Sequence, residues 1–491
     1  MKKYAVPALA LLFPAVCAAQ SIPQMDRRVT LQGPTGLNWA MSLKADATNG
    51  VLANPTEKNG TYTAPSISGG TLTNSTLDNP DITNGVLQQS TLKGVSIDGM
   101  STIGGVSITN PAWLGFKTSN QTLNVCNSGC AYSTIHEAFY AALSLAHWAL
   151  DSTSTFTVQI ADGTYNEAWQ MVSTDPAGWR VRVIGNTSSP QNVVINFTNV
   201  VGNNFGGYSA NTGGQIGYID GMTLNAVGAI SSQTSSAIHW RSNSKGAGIS
   251  AIGNGVVQVG PHMVINGFYY GLLADHGGYM IADGVTVHNA GDVGIFAKFG
   301  GVMRCQGCIS TYTADSDNSL GSNYMAEQGG HLDIDGAKSD QALYAGVAAI
   351  TGGSVWANGT TLGYATTGGF GGRGAWGVWV LNGGSVQIEN STIANFYDGV
   401  HAQAGGSVDV SGTTIHQNNN NGITADGGVV RGFVVSITDN VGYGVQATHM
   451  GAIELYQTFS KMSNNTAGNV SQNPAGTENG ASYGVASIVL E

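Results

Sequence analysis

A run of acidic, amide and indole side chains recurs at regular spacing in this chain: Asp333, Asp335, Trp356, Asn358, Gln387, Glu389 and Asp409. Two carboxylates flanking a glycosidic bond can divide the work of its hydrolysis. One donates a proton to the leaving oxygen and the other activates water, at a separation of roughly 6.5–9.5 Å. An indole between them offers a stacking surface for a sugar ring, and amides offer partners for its hydroxyls. Asp335, Glu389 and Asp409 are therefore the candidate catalytic residues. Asp333, Trp356, Asn358 and Gln387 are candidate substrate contacts, together with Arg373, Trp376, Trp379 and His401 from nearby segments. The competing reading is a solvated sheet face that merely carries polar residues, because any regular repeat produces such columns.

These residues meet only if the chain repeats. Seven of the Gly-Gly pairs, beginning at Gly277, Gly300, Gly329, Gly352, Gly383, Gly405 and Gly427, recur at intervals of 23, 29, 23, 31, 22 and 22 residues. Gly271, Gly294, Gly346, Gly377, Gly399, Gly422 and Gly444 punctuate the stretches between. Such a period marks a repeat architecture, and its Val- and Ile-rich alternation points to the coils of a parallel β-helix. Counting the first Gly of a pair as zero, offsets three and five are apolar, as in Met303/Cys305, Leu332/Ile334 and Val386/Ile388. They should face the core, and offsets four and six should face outward. Offset four then reads Ile281, Arg304, Asp333, Trp356, Gln387, Asp409 and Arg431; offset six reads Asp283, Gln306, Asp335, Asn358, Glu389 and Ser411. With strands stacked about 4.8 Å apart, Asp335 and Glu389 would stand roughly 9–10 Å from each other, and Glu389 and Asp409 about 8 Å.

The two long intervals carry extra residues within 311–321 and 363–376, expected to leave the coil as loops on one binding face. They would bring Tyr312, Asp315, Asp317, Tyr364, Phe370, Arg373 and Trp376 to flank the acidic columns. Trp379 and His401 hold equivalent places on successive coils. Asp333/Asp335 or Asp315/Asp317 could bind calcium, but such pairs are frequent in loops, and neither a metal nor a cofactor is expected. Asn395, Asn418 and Asn440 each precede a punctuating glycine by four residues and read as a structural stack at a turn.

Upstream, Ile67, Leu72, Leu77, Ile82, Leu87, Leu92 and Ile97 recur every five residues, a period that fits neither a helix nor a flat strand. The pattern resembles the pentapeptide repeat, in which each side of a square β-coil contributes one inward aliphatic residue. Similar short repeats occur in trimeric stems of phage tail proteins. One thin chain of this kind buries little core, so a homotrimer is expected. Between stem and main body, Tyr132 to Leu143 sets Ile135, Ala138, Phe139, Ala142 and Leu143 on one helical face, with Ser133 and Thr134 placed to cap it and Glu137 in its first turn.

That helix, reading Ser133-Thr-Ile-x-x-Ala138, is followed by strands ending Asp162-Gly-Thr-Tyr-x-Glu167 and Val181-x-Val-Ile-Gly185. The set resembles the N-terminal cap and first coils of the right-handed parallel β-helix (pectin-lyase-like) superfamily, over about 120–470. The resemblance implies an all-β, single-stranded right-handed parallel β-helix with an N-terminal capping α-helix, preceded here by the short-repeat stem. It implies no single activity, since the superfamily holds lyases, hydrolases, esterases, epimerases, phage tailspikes and adhesins. The motifs of pectin methylesterases and polygalacturonases and the Arg-x-Pro-x-x-Arg segment of pectate lyases are absent. Ala274-Asp275-His276 is only faintly similar to the Asp-His element of the last.

The expected organisation is a signal peptide at 1–19, a leader at 20–60, the stem at 61–110, a linker at 111–130, the β-helix at 131–470 and a tail at 471–491. Lys2, Lys3, the apolar run Ala5–Val16 and Cys17-Ala-Ala-Gln20 have the form of a secretory leader. Its removal would take the formal charge from −11 to −13. No later apolar stretch approaches the length of a membrane span, so a secreted or cell-surface protein without membrane insertion is expected. Sparse charge of acidic sign disfavours nucleic acid. Cys126/Cys130 and Cys305/Cys308 leave disulfides, zinc ligation and buried thiols open, with disulfides favoured by export. The functional expectation is an exported protein that binds a polysaccharide, with cleavage by hydrolysis or lyase chemistry left open. The alternative is a non-catalytic adhesin or structural spike.

Overall fold

A computed structural model describes short strands between Val51 and Ile108 and residues 120–490, with breaks at 149–152, 198–204, 228–229, 232–240, 243–245, 312, 314–320, 364–375, 457–459, 473–476, 479–480 and 483–486. The chain divides into two compact units, 1–117 and 118–491. The leader expected at 1–19 lies outside the described residues.

Each coil of the second unit gives one strand to each of three parallel sheets, which hold 14, 12 and 12 described strands. Tyr279–Ile281 lies in the first sheet, Thr286–His288 in the second and Val293–Lys298 in the third; Val302–Arg304 then returns to the first. This is a parallel β-helix. Its register runs Arg304, Asp333, Trp356, Gln387, Asp409, Arg431 on successive first-sheet strands, the column expected at offset four. The flanking apolar positions, such as Met303, Leu332, Val386 and Val408, are at most 3% exposed.

The Gly-Gly pairs turn the third sheet into the first. At Gly329, φ is +76° after a φ of +51° at Gln328, two successive left-handed residues that glycine eases. The second glycine is required by space: a Cβ on Gly330 would sit 2.2 Å from the Ala297 carbonyl oxygen of the preceding coil. Long connections choose another corner. Residues 198–204, 227–246, 312–321 and 364–375 all join a second-sheet strand to the next third-sheet strand.

The helix Ile135–Trp148 buries Ile135, Ala138, Phe139, Ala142 and Ala146 in the core. Thr134 Oγ1 accepts the Glu137 N–H at 3.2 Å. The Glu167 carboxylate accepts the N–H groups of Ile135 and His136 at 2.7 and 3.2 Å, so the last residue of the Asp-Gly-Thr-Tyr-x-Glu element satisfies donors that a helix start leaves open. Cys126–Cys130 and Cys305–Cys308 are disulfides.

The first sheet extends past the boundaries read from sequence. Gln121–Val125, in the expected linker, pairs with Phe156–Ile160, and Ser487–Leu490, in the expected tail, pairs with Ala452–Tyr456. The polar stack differs by one residue. Asn418 Nδ2 donates to Asn440 Oδ1, and Asn440 Nδ2 to Asn465 Oδ1, both at 2.8 Å. On the preceding coil the place belongs to Phe396, whose N–H donates to Asn418 Oδ1 at 3.0 Å. Asn395 instead takes a φ of +64° and faces solvent. Counting back from Gly399 misplaces it because that connection is one residue shorter than the one ending at Gly422.

In the first unit, strands pair fifteen residues apart, Leu52 with Ile67, Leu72 with Leu87 and Leu77 with Leu92, in three separate sheets. Five-residue sides therefore close in three, not in the four of the expected square coil. Its strands begin at Val51, inside the expected leader.

Candidate functional site

On the outer face of the first sheet, a depression of about 350 Å³ is lined by Trp356, Gln387, Asp409 and Arg431, with Ser385 and Ser407 beside them. Trp356 is 53% exposed, a large apolar area to leave in water. His331 meets its ring edge-on at 4.8 Å and places Nδ1 2.7 Å from Ser354 Oγ. Burial holds that imidazole below its ordinary pKa, against the opposing pull of Asp333. One edge of the indole is thus braced while much of the ring stays open. Arg431 Nε lies 3.2 Å from Glu454 Oε2, which fixes the guanidinium at the far rim.

The candidate carboxylates are tied into local structure. Asp335 Oδ1 accepts the Asn358 N–H of the next coil at 2.7 Å, as Asp283 Oδ1 accepts the Gln306 N–H at 3.0 Å. Glu389 accepts from Gln387 Nε2 at 2.5 Å. Asp409 Oδ1 accepts the N–H and hydroxyl of Ser411 at 3.0 and 2.7 Å. Asp333 accepts from Gln306 Nε2 at 2.9 Å and from the Asp335 N–H at 3.3 Å. Gly336 N–H donates to Asn358 O and Gly359 N–H to Glu389 O, so Asp335, Asn358 and Glu389 do follow one another coil by coil.

Trp376, Trp379 and His401 lie elsewhere, on the third sheet. Trp376 stacks on Trp379 at 4.9 Å and faces His401 at 5.1 Å. Buried Asp398, which sequence reasoning did not single out, lies 3.0 Å from His401 Nδ1 and accepts from Asn420 Nδ2 and the Asn421 N–H at 2.7 and 3.0 Å. Trp379 is 7% exposed and its indole N–H has no partner, so it packs rather than presenting an open platform. These aromatics do not flank the acidic columns as expected. The 31-residue interval enters at the corner between the second and third sheets, the one corner of a three-sided coil that the first sheet does not touch. Arg373 lies outside the described residues, as do Tyr312, Asp315, Asp317, Tyr364 and Phe370. Arg431 belongs to the depression although sequence reasoning left it out of the site; its place in the offset-four column was the available signal.

No protein-family model matches the chain, and no curated protein matches it. Among solved structures it is similar to the catalytic domain of a variant GH87 alpha-1,3-glucanase in complex with nigerose, with a TM-score of 0.44 and 13% identity over 74% of this chain and 67% of that one. It is also similar to the periplasmic alginate epimerase AlgG, with a TM-score of 0.38 and 10% identity over 63% and 77% of the two chains. A third likeness is to pectate lyase Pel9A, with a TM-score of 0.34 and 11% identity over 72% and 79%. All three are right-handed parallel β-helix proteins, and the likeness concerns the course of the backbone alone.

Proposed function

We propose that this is an exported protein that binds a polysaccharide along the outer face of its first sheet. Trp356 supplies the stacking surface, and Gln387, Asp409 and Arg431 supply hydroxyl partners. The observation that carries the reading is the half-exposed Trp356 at a depression that also presents Gln387, Asp409 and Arg431, with valines and serines between them. A sugar ring presents apolar C–H faces to an indole and hydroxyls to amide, carboxylate and guanidinium groups. An excess of acids over bases across the chain favours a neutral polymer over an anionic one. Assembly as a homotrimer through the five-residue-repeat stem belongs to the same reading.

Cleavage at this face would fall to Glu389 with Asp335 or Asp409. The turn hydrogen bonds of all three support an orienting role, so binding stands ahead of turnover here. The same bonds favour, as second reading, a non-catalytic adhesin or spike. Calorimetric titration of the purified chain with alpha-1,3-glucan, alginate and pectate fragments and with neutral xylan and dextran tests the proposal. Trp356→Ala should weaken binding of the recognised polymer about tenfold or more. Glu389→Gln/Asp335→Asn should leave it nearly unchanged. Absence of wild-type binding across the set, or full binding by Trp356→Ala, would remove the first-face site.

A further inference from the structure

Three arginines stand in the outward column of the first sheet that also holds Trp356: Arg182, Arg304 and Arg431. Two of them are tied to carboxylates of the chain, Arg304 to Asp283 and Arg431 to Glu454. The Arg182 guanidinium forms no ion pair and no hydrogen bond among the described residues. It lies over the ring of Tyr218, 5.1 Å from the ring centre, the geometry of a cation–π contact. Arg182 is exposed, so a guanidinium held in place faces solvent with its donors open.

The acid nearest in register is withheld from it. Asp220 pairs with Ile184, two residues beyond Arg182, and is only 3% exposed. Its Oδ1 accepts the N–H groups of Gly221 and His262, both at 2.9 Å. Its Oδ2 accepts the Tyr218 hydroxyl at 3.0 Å and faces His262 Nδ1 at 3.1 Å. Four partners saturate the carboxylate. Two features of the backbone build this cluster. Ile216 pairs with Val257 and Ile219 with Val259, so Gly217 and Tyr218 together oppose Gln258. This is a bulge, a device that re-aims a side chain and is uncommon between parallel strands. Gly260 then leaves room for the contact, since a Cβ there would meet the Tyr218 hydroxyl at 2.4 Å and the Asp220 carboxyl carbon at 2.3 Å. A proton on His262 Nδ1, directed at Asp220, leaves Nε2 as an acceptor, on a side chain 47% exposed.

We propose that Arg182, with His262 beside it, forms a second subsite of the first face that takes an acidic sugar of an otherwise neutral polysaccharide. The acidic group, a carboxylate or a sulfate ester, lies against the guanidinium fork, whose paired N–H donors match such oxygens. A hydroxyl of the same sugar donates to His262 Nε2. Tyr218 is a positioning residue: its ring carries Arg182, and its hydroxyl helps to keep Asp220 from pairing with it. The inference rests on the polysaccharide reading and deepens it. With 29 acids against 18 bases, the chain repels a dense polyanion, whereas one acidic sugar meets an arginine that has no acid of its own. Arg182 and Trp356 lie six strands apart in the sheet, roughly 29 Å at about 4.8 Å per coil. One long polymer can therefore engage both, the second contact being intramolecular.

The test titrates the full chain calorimetrically with glucuronoxylan and with the same polymer after reduction of its carboxyls, then with lightly sulfated dextran and with dextran. At least one acidic form should bind about tenfold more tightly than its neutral counterpart, and added salt should erode the difference. The form preferred identifies the group as carboxylate or sulfate ester. Arg182→Ala should bring acidic and neutral forms to equal affinity. Arg182→Lys, which keeps the charge and loses the fork, should retain part of the preference, and Tyr218→Leu, which removes the ring beneath Arg182, should narrow it. Trp356→Ala should weaken both forms and leave their ratio in place. Binding without preference for either acidic form, or a preference that survives Arg182→Ala, would overturn this subsite and leave the Trp356 groove standing. A preference lost in Arg182→Ala, with Trp356→Ala binding as tightly as the parent, would uphold the subsite and remove the groove. No binding of any of the four polymers would overturn both.

Discussion

Glu167 is buried against the helix start and accepts two of its backbone N–H groups, yet burial outweighs those bonds and its pKa lies above the ordinary value. The folded chain therefore holds this proton more tightly than the unfolded chain does. The contribution of Glu167 to stability is most favourable below the ordinary glutamate pKa and declines as pH climbs from there through the raised folded value. Glu167→Gln removes that dependence and sets an amide N–H against a backbone donor. A loss of about 1–3 kcal/mol is expected, together with a flatter dependence of unfolding free energy on pH above about 4. Denaturant titration over a pH series measures both, and an unchanged slope would show that another group titrates. Which side chains face outward is legible from alternation alone, and Asp333, Trp356, Gln387 and Asp409 fall in one column as expected. Their bonding is not legible. Asp335 reaches the Asn358 N–H, and Asp409 the Ser411 hydroxyl, through the turn beyond each strand, where a two-residue period carries no information.

A coil turns on its glycines for two different reasons, and substitution separates them. Gly329→Ala keeps a free space around the new Cβ but places it at a φ of +76°, a strain of about 1–2 kcal/mol. Gly330→Ala drives a Cβ to within 2.2 Å of the Ala297 carbonyl oxygen, so adjacent coils must part, at about 3 kcal/mol. Thermal melts of the two variants should rank in that order; the reverse would mean that the stack yields more easily than the turn. Asn440→Ala strips Asn418 of an acceptor for both its N–H and its Nδ2. With Asn418 wholly buried, about 3 kcal/mol should be lost, where an exposed Asn395→Ala should change little. Interval lengths show that residues have been inserted, but a period cannot tell which of three corners takes them. That is why the expected meeting of Trp376, Trp379 and His401 with the acidic columns fails. The stem misreads for a related reason: a five-residue side is equally compatible with three or four sides, and only the fifteen-residue pairing decides.

Stacked coils touch only their neighbours, so damage at one end should stay there. Ser487–Leu490 pairs with Ala452–Tyr456 and covers what would otherwise be an open edge of the first sheet. Removing residues 487–491 uncovers that edge. Because Arg431 pairs with Glu454 in register and holds it by an ion pair, loosening of the 452–456 strand reaches the rim of the first-face depression one coil away. The strands Tyr270–Asp275 and Val293–Lys298 lie several coils further from the break, in another sheet. Hydrogen exchange of the truncated chain should therefore quicken over 429–456 and stay slow over the strands Tyr270–Asp275 and Val293–Lys298. In function the same gradient should appear as weaker Trp356-dependent glycan binding. Uniform loss of protection along the stack would mean that the coils fold as one cooperative block.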